Sequence, residues 1–166
     1  VFRHTAKSEL SNDTKIRNNK MSNDNLTNAL KIVLADSYAL YLKTHNFHWN
    51  VEGKRFYDLH NLFQTQYEEL AIAVDDIAET IRQLGSKAPG SFKTFSEITN
   101  LKDGNENSSA EDMVKELAND QAIVMESVTE ALDFAKEVDD EATIGLLVDR
   151  LSVHRKTQWM LKSLAQ

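Results

Sequence analysis

The chain of 166 residues is 41% hydrophobic and carries a net charge of −7, a composition that suits one globular domain with its own core. It has no Cys, which excludes disulfides, thiol nucleophiles and thiolate-held metal clusters. No apolar run approaches the ~20 residues of a membrane span and no signal-peptide core opens the chain, so a cytoplasmic location is expected.

Residues 1–20 hold Arg3, Lys7, Lys15, Arg17 and Lys20 against Glu9 and Asp13, a balance of +3 that leaves −10 for the remainder. That acidic remainder disfavours nucleic-acid binding by the body of the domain. Residues 1–23 therefore form a polar, basic N-terminal extension. It reads either as a solvated leader or as an arm that touches DNA. The chain opens on Val1 without a Met, as a trimmed chain does, and Met21 is a candidate start.

Residues 24–166 show helical patterning, and the single Pro and five Gly suit long helices. A first helix is expected from about Asp24 to Phe47, with Leu26, Leu30, Val33, Leu34, Tyr38, Tyr41, His45 and His48 on one face. Asn50–Gly53 breaks it. A second runs from about Lys54 to Leu84, where Gly85 is a natural stop; at 1.5 Å per residue it is ~45 Å long. A polar connection follows, and within it "FKTFSEI" is expected to form a short extra helix. A connection of that length suggests a crossover between parallel helices. Ser108-Ser-Ala-Glu111 reads as the capping box that opens the third long helix. The run "EVDDEAT" ends that helix and opens the fourth. The expected fold is all-α: a ferritin-like four-helix bundle with a short extra helix between helices two and three.

Three of the five histidines, His45, His48 and His60, lie within sixteen residues, and Asp75, Asp76 and Glu79 follow. Imidazoles and carboxylates without thiolate suit Fe(II), Zn or Mn. No Glu is followed by His three residues on, so the usual carboxylate-bridged di-iron centre inside one bundle is not expected. His48 and His60 flank the turn at Gly53. Asp75 and Glu79 share a face of helix two. Yet fifteen helical residues separate His60 from Asp75 by ~22 Å, while ligands sit ~2–2.3 Å from a metal. Two copies of helix two, antiparallel about a two-fold axis near Tyr67–Glu68, set His60 of one opposite Asp75 of the other, twice over.

The sequence His48-Trp49-Asn50-Val51-Glu52-Gly53, then Leu59-His60, then Val74-Asp75-Asp76-Ile77-Ala78-Glu79 resembles the Dps family of DNA-protecting miniferritins, over residues ~24–164. The resemblance implies a hollow shell of twelve subunits built from two-fold dimers. It implies ferroxidase centres at those interfaces that hold two iron ions each, oxidise Fe(II), preferably with hydrogen peroxide, and store ferric mineral within, protecting DNA. Its ligands would be His48, His60, Asp75 and Glu79. Where the family usually has an acidic residue four positions after the second His, this chain has Gln64, a weak neutral ligand, so the second iron position is expected to be weak or transient. Where Arg commonly follows the last Glu, Thr80 stands. The alternative function is a shell that coats DNA and whose oxidising centre is vestigial.

The remaining polar positions read more plainly. Asp76 faces away from the site. His45 lies one turn before the site face, beside the ligands or at the surface. His154 is a polar position within the bundle or at an interface, and His4 belongs to the extension. Trp49 and Trp159 are assigned to the core by size, against a role in quenching radicals. The acidic residues Glu137, Asp139, Asp140 and Glu141 read as helix-end caps and solvated surface, although the resemblance places an ion pore near the start of helix four.

Overall fold

The computed structural model describes the backbone of residues 5–165 and the side chains of residues 22–165. The five helices, in chain order, are α1 (Thr5–Asn50), α2 (Phe56–Gln83), α3 (Phe92–Ile98), α4 (Ala110–Glu137) and α5 (Glu141–Leu164). The all-α reading holds among the described residues, with the extra helix at the predicted "FKTFSEI".

α1 starts earlier than the expected Asp24. Residues 5–23 contain neither Gly nor Pro to break a helix, and the backbone continues helical through them. They also lack an apolar stripe, which is why periodicity alone missed them. The charged side chains of the predicted arm, and His4 with them, lie outside the described residues.

α1 packs against α2 and α4, α4 packs against α5, and α3 lies on α1. Cross-helix contacts give the directions. Lys43 meets Glu116 and Asp120 while Asp36 meets Ser127, so α1 and α4 run antiparallel. Gln121 meets His154 while Ala118 meets Gln158, so α4 and α5 do too. α2 and α4 therefore run the same way, and residues 84–109 return the chain along the bundle, as a crossover must. Leu26, Leu30, Val33, Leu34, Phe47, Leu59, Phe63, Ile77, Ile81, Met113, Leu117 and Leu147 form the buried core. Each such side chain contributes about 1.5–3 kcal/mol through burial.

The ends of the helices follow from local chemistry. α2 stops where Gly85 takes φ 86°. The Ser86 N–H then bonds the Ile81 carbonyl at 3.2 Å and the Gly85 N–H bonds that of Arg82 at 3.0 Å, closing off the last turn. α4 begins one residue later than the expected box. Ser109, not Ser108, accepts from the Asp112 N–H at 3.1 Å, and its hydroxyl donates to the Asp112 carboxylate at 2.7 Å. Both serines stand in the correct spacing to an acid, and the Asp112 carboxylate takes the Ser109 hydroxyl as its donor in place of the backbone N–H that a capping box uses. Asp140 caps α5, accepting from the Thr143 N–H at 3.1 Å and the Thr143 hydroxyl at 2.6 Å.

Two buried polar clusters lie along α1; the first holds the long connection down and the second ties α1 to α4. The fully buried Asp36 accepts from the Thr99 hydroxyl (2.8 Å), the Asn100 N–H (2.6 Å), the Asn100 side-chain amide (3.1 Å) and the Ser127 hydroxyl. Lys43, also buried, lies 2.7 Å from both Glu116 and Asp120. Burial nevertheless pushes the Asp120 carboxyl above the usual carboxylate range, against the pull of Lys43. Gly104 passes so close over α1 that a Cβ there would come within 2.7 Å of Lys43 Cγ and 2.9 Å of the Phe47 ring. No helix among the described residues is long and apolar enough to cross a membrane.

Candidate metal centre

His48 ends α1 and His60 lies in the first turns of α2. The turn between them is short: the Val51 N–H bonds the Phe47 carbonyl at 2.9 Å, Gly53 takes φ 102°, and the Phe56 N–H bonds the Gly53 carbonyl at 3.1 Å. It folds the two helices back so that the imidazoles stack, with ring centroids 3.8 Å apart and planes 22° from parallel.

Each ring bonds the other residue's backbone. His48 Nδ1 lies 2.8 Å from the His60 carbonyl oxygen, and His60 Nδ1 lies 2.8 Å from the His48 carbonyl oxygen. A carbonyl only accepts, so both Nδ1 atoms carry the proton. In a neutral ring the lone pair is then on Nε2. This is the arrangement that orients a metal-binding imidazole and fixes its tautomer.

α2 buries Leu59, Phe63, Gln66, Leu70, Ala73, Ile77 and Ile81. The opposite face carries His60, Gln64, Glu68, Asp75 and Glu79, of which Glu68, Asp75 and Glu79 are exposed. At 3.6 residues per turn, Asp75 is turned only ~60° from His60 about the helix axis, but it lies ~22 Å along it. α2 runs unbroken between them. In one protomer the stacked pair is joined by no third His, Asp or Glu among the described residues. Asp76 is exposed, on a different side of α2 from Asp75. Gln64 is half-buried, and its Nε2 donates to Glu68 Oε1 at 2.7 Å.

Aromatic groups surround the pair. Tyr67 lies edge-on to His48 at 5.1 Å and stacks on His45 at 4.1 Å, and Phe56 lies 5.0 Å from His60. His45 is held between Tyr67 and Trp49, the latter at 4.0 Å. Burial, and secondarily the neighbouring His48, lowers its pKa below the usual imidazole value. Tyr67 was legible in the sequence only as a helix position on the same side of α2 as His60; the crossing of α1 over α2 brings it to His45 and His48.

The tryptophan assignments are corrected. Trp49 is 61% exposed and Trp159 66%. Trp49 follows the buried His48 by one residue, about 100° round α1, and Trp159 is about 140° from the buried His154 on α5. Helical phase overrides side-chain size at both positions.

His154 is buried within the bundle, as expected of a polar position there. Its Nδ1 donates to Gln121 Oε1 at 2.6 Å, and its Nε2 faces Arg150 Nη2 at 3.3 Å. Arg150 forks onto the Glu69 carboxylate. Burial, then the Arg150 charge, lowers the His154 pKa to about 3. Both ring nitrogens are engaged, so this histidine has no lone pair to offer a metal.

A family profile described as "Ferritin-like domain" matches residues 27–166. The chain is 35% identical over 143 residues to general stress protein 20U of Bacillus subtilis, covering 84% of this chain and 97% of that one. It is 33% identical over 141 residues to DNA protection during starvation protein 2 of Bacillus anthracis, covering 85% and 97%. Among solved structures, the Dps protein from Bacillus brevis superposes with a TM-score of 0.85 at 31% identity, over 88% of this chain and 98% of that one. The Dps protein from Vibrio cholerae, described as a member of a broad superfamily of ferritin-like diiron-carboxylate proteins, superposes with a TM-score of 0.85 at 28% identity, over 88% and 92%.

Proposed function

The chain belongs to the Dps family of ferritin-like proteins, and on that premise we propose that it is a ferroxidase that oxidises Fe(II), preferably with hydrogen peroxide, and stores the ferric product inside a shell of twelve subunits. The observation that carries this reading is the reciprocally bonded pair His48 and His60, with its Nε2 atoms left for a metal. Asp75 and Glu79 on the same side of α2 are the second support.

The centre is completed across a two-fold axis. His48 of one subunit, with Asp75 and Glu79 of the partner subunit, forms the first Fe(II) position. Two carboxylates and an imidazole there match the charge and softness of the ion. His60 and Gln64 form the second. Gln64 brings no charge, so this position is the weaker. The electron count requires both. Hydrogen peroxide takes one electron from each of two Fe(II) ions, its O–O bond breaks, and with two protons it leaves as two waters. A weak second position therefore makes the rate rise more steeply than linearly with iron.

DNA binding, where it occurs, belongs to residues 1–20, because the rest of the chain is net −10. The domain division follows: residues 1–23 as a basic extension and 24–166 as the bundle. In this reading the shell works in the bacterial cytoplasm, beside the nucleoid when the arm holds DNA. Five cations per arm make that affinity fall steeply with salt. Gln64 and Thr80 favour one competing reading, a DNA-coating shell with a vestigial centre. The test is direct. The protein is loaded with Fe(II) without oxygen, peroxide is added and ferric absorbance is followed, with dioxygen as the comparison. Fast oxidation by peroxide supports the ferroxidase. A rate no greater than that of free Fe(II), together with a salt-sensitive DNA mobility shift, would establish the coating protein in its place.

A further inference from the structure

We infer that Glu68 is a positioning residue of the oxidation centre, supplying through Gln64 the negative charge that Gln64 itself lacks. The inference rests on the centre proposed above.

It starts from the amide. An amide has a donating end and an accepting end, and Gln64 commits its donor, Nε2, to Glu68 Oε1 at 2.7 Å. The reverse orientation would set two oxygens against each other, so chemistry fixes the flip. Gln64 Oε1 is thereby left for an ion, with no hydrogen-bond partner among the described residues. A hydrogen bond to a carboxylate is charge-assisted. It also polarises the amide and makes the free oxygen a better donor to a cation.

The neighbouring glutamates divide the work. Glu69 turns towards α5 and is occupied by the Arg150 fork. Glu68 is exposed, on the His60 side of α2, and forms no ion pair among the described residues. The Gln64–Glu68 couple therefore carries the same net −1 as the single acid the family usually has at position 64. That charge is set one helical turn further from His60. Coulomb attraction falls as 1/r, so a carboxylate set behind the Gln64 amide keeps only a part of the attraction that a directly bound acid would have. In the antiparallel pairing that sets His60 opposite Asp75, Gln64 comes opposite Ala71 of the partner subunit, whose methyl group leaves room for an ion. Sequence spacing alone treated Gln64 as a plain loss of charge; the hydrogen bond shows where charge is available again.

The experiment is an anaerobic Co(II) titration of the assembled protein, read by visible absorption of the bound ion and by calorimetry, so no oxidation is involved. The unaltered protein should bind two Co(II) per centre, the second more weakly. Glu68→Gln keeps an oxygen to accept the Gln64 bond but removes the charge. It should weaken the second ion at least tenfold and leave the first within twofold. Gln64→Asp added to Glu68→Gln should restore the second ion. Equal weakening of both ions, or no change in the second, overturns the inference while the centre stands. If the unaltered protein binds no Co(II), or binds it equally well after His48→Gly with His60→Gly, the proposed centre itself is wrong and the role of Glu68 falls with it.

Discussion

Two groups of polar side chains touch α2, and they are finished to different degrees. Between α2, α4 and α5, Glu69, Arg150, His154 and Gln121 form one chain of contacts inside a single protomer. On the α1–α2 side, His48 and His60 use one nitrogen each on a carbonyl and leave the other, while Asp75 and Glu79 stand exposed about half the length of α2 away. A network whose bonds are made within one protomer, with only the buried Arg150 Nε left over among its members, serves folding. Ligands held in place but left open serve an ion and a second subunit.

That contrast can be broken from either side. Replacing both His48 and His60 with Gly should lower peroxide-driven Fe(II) oxidation at least ~100-fold, because losing the donors themselves costs no less than the ~10–100-fold lost with the groups that merely orient them. Light scattering should still show the assembled shell. A shell that oxidises Fe(II) as fast as before would locate the chemistry at other carboxylates. The converse change is Asp36→Ala, far from the rings. It strands the Thr99, Asn100 and Ser127 donors and should cost about 3 kcal/mol of stability, measured by chemical denaturation, with the oxidation rate per folded shell unchanged.

Acid sharpens the same distinction. His154 binds its proton with a pKa of about 3 when folded, far below the usual 6.5, so the unfolded chain takes up the proton first as pH falls. Its contribution to stability is complete above pH 6.5 and is lost progressively towards pH 3. Melting temperature should fall across that window. His154→Gln, which keeps a polar group in the same place, should flatten the fall while lowering stability at pH 7 by about 1–3 kcal/mol. A melting profile identical to that of the unaltered protein would show that this histidine is not a source of acid sensitivity.

The fold was legible wherever an apolar stripe met a stop signal. Phe63, Leu70, Ile77 and Ile81 repeat with helical spacing and end at Gly85, so α2 came within two residues of its observed ends. α1 before Asp24 has no stripe and no breaker, and nothing in a periodicity reading marks it. The start of α4 was read one residue early, at Ser108, because Ser109 stands at the same spacing to an acid and periodicity does not rank the two. The site was legible as residue types on one side of α2, because that is a property of a single helix. Its aromatic surroundings were not. Whether Tyr67 meets His45 and His48 depends on how α1 crosses α2, which only packing decides. The bond from Gln64 to Glu68 was hidden for another reason: both residues are common on solvated helix faces, and spacing does not show which way an amide turns.

The central claim is that the histidines of one subunit work with the carboxylates of another, and complementation tests it most directly. Protein carrying His48→Gly with His60→Gly and protein carrying Asp75→Ala with Glu79→Ala should each be inactive. They are then unfolded together in equal amounts and refolded as mixed assemblies. In a mixed dimer, one of the two symmetric sites joins intact histidines to intact carboxylates, so random pairing restores about a quarter of the centres. Peroxide-driven Fe(II) oxidation should return to about that fraction of the unaltered rate. Two inactive parents that remain inactive in verified mixed assemblies would contradict the account, because a site made within one subunit gains nothing from mixing.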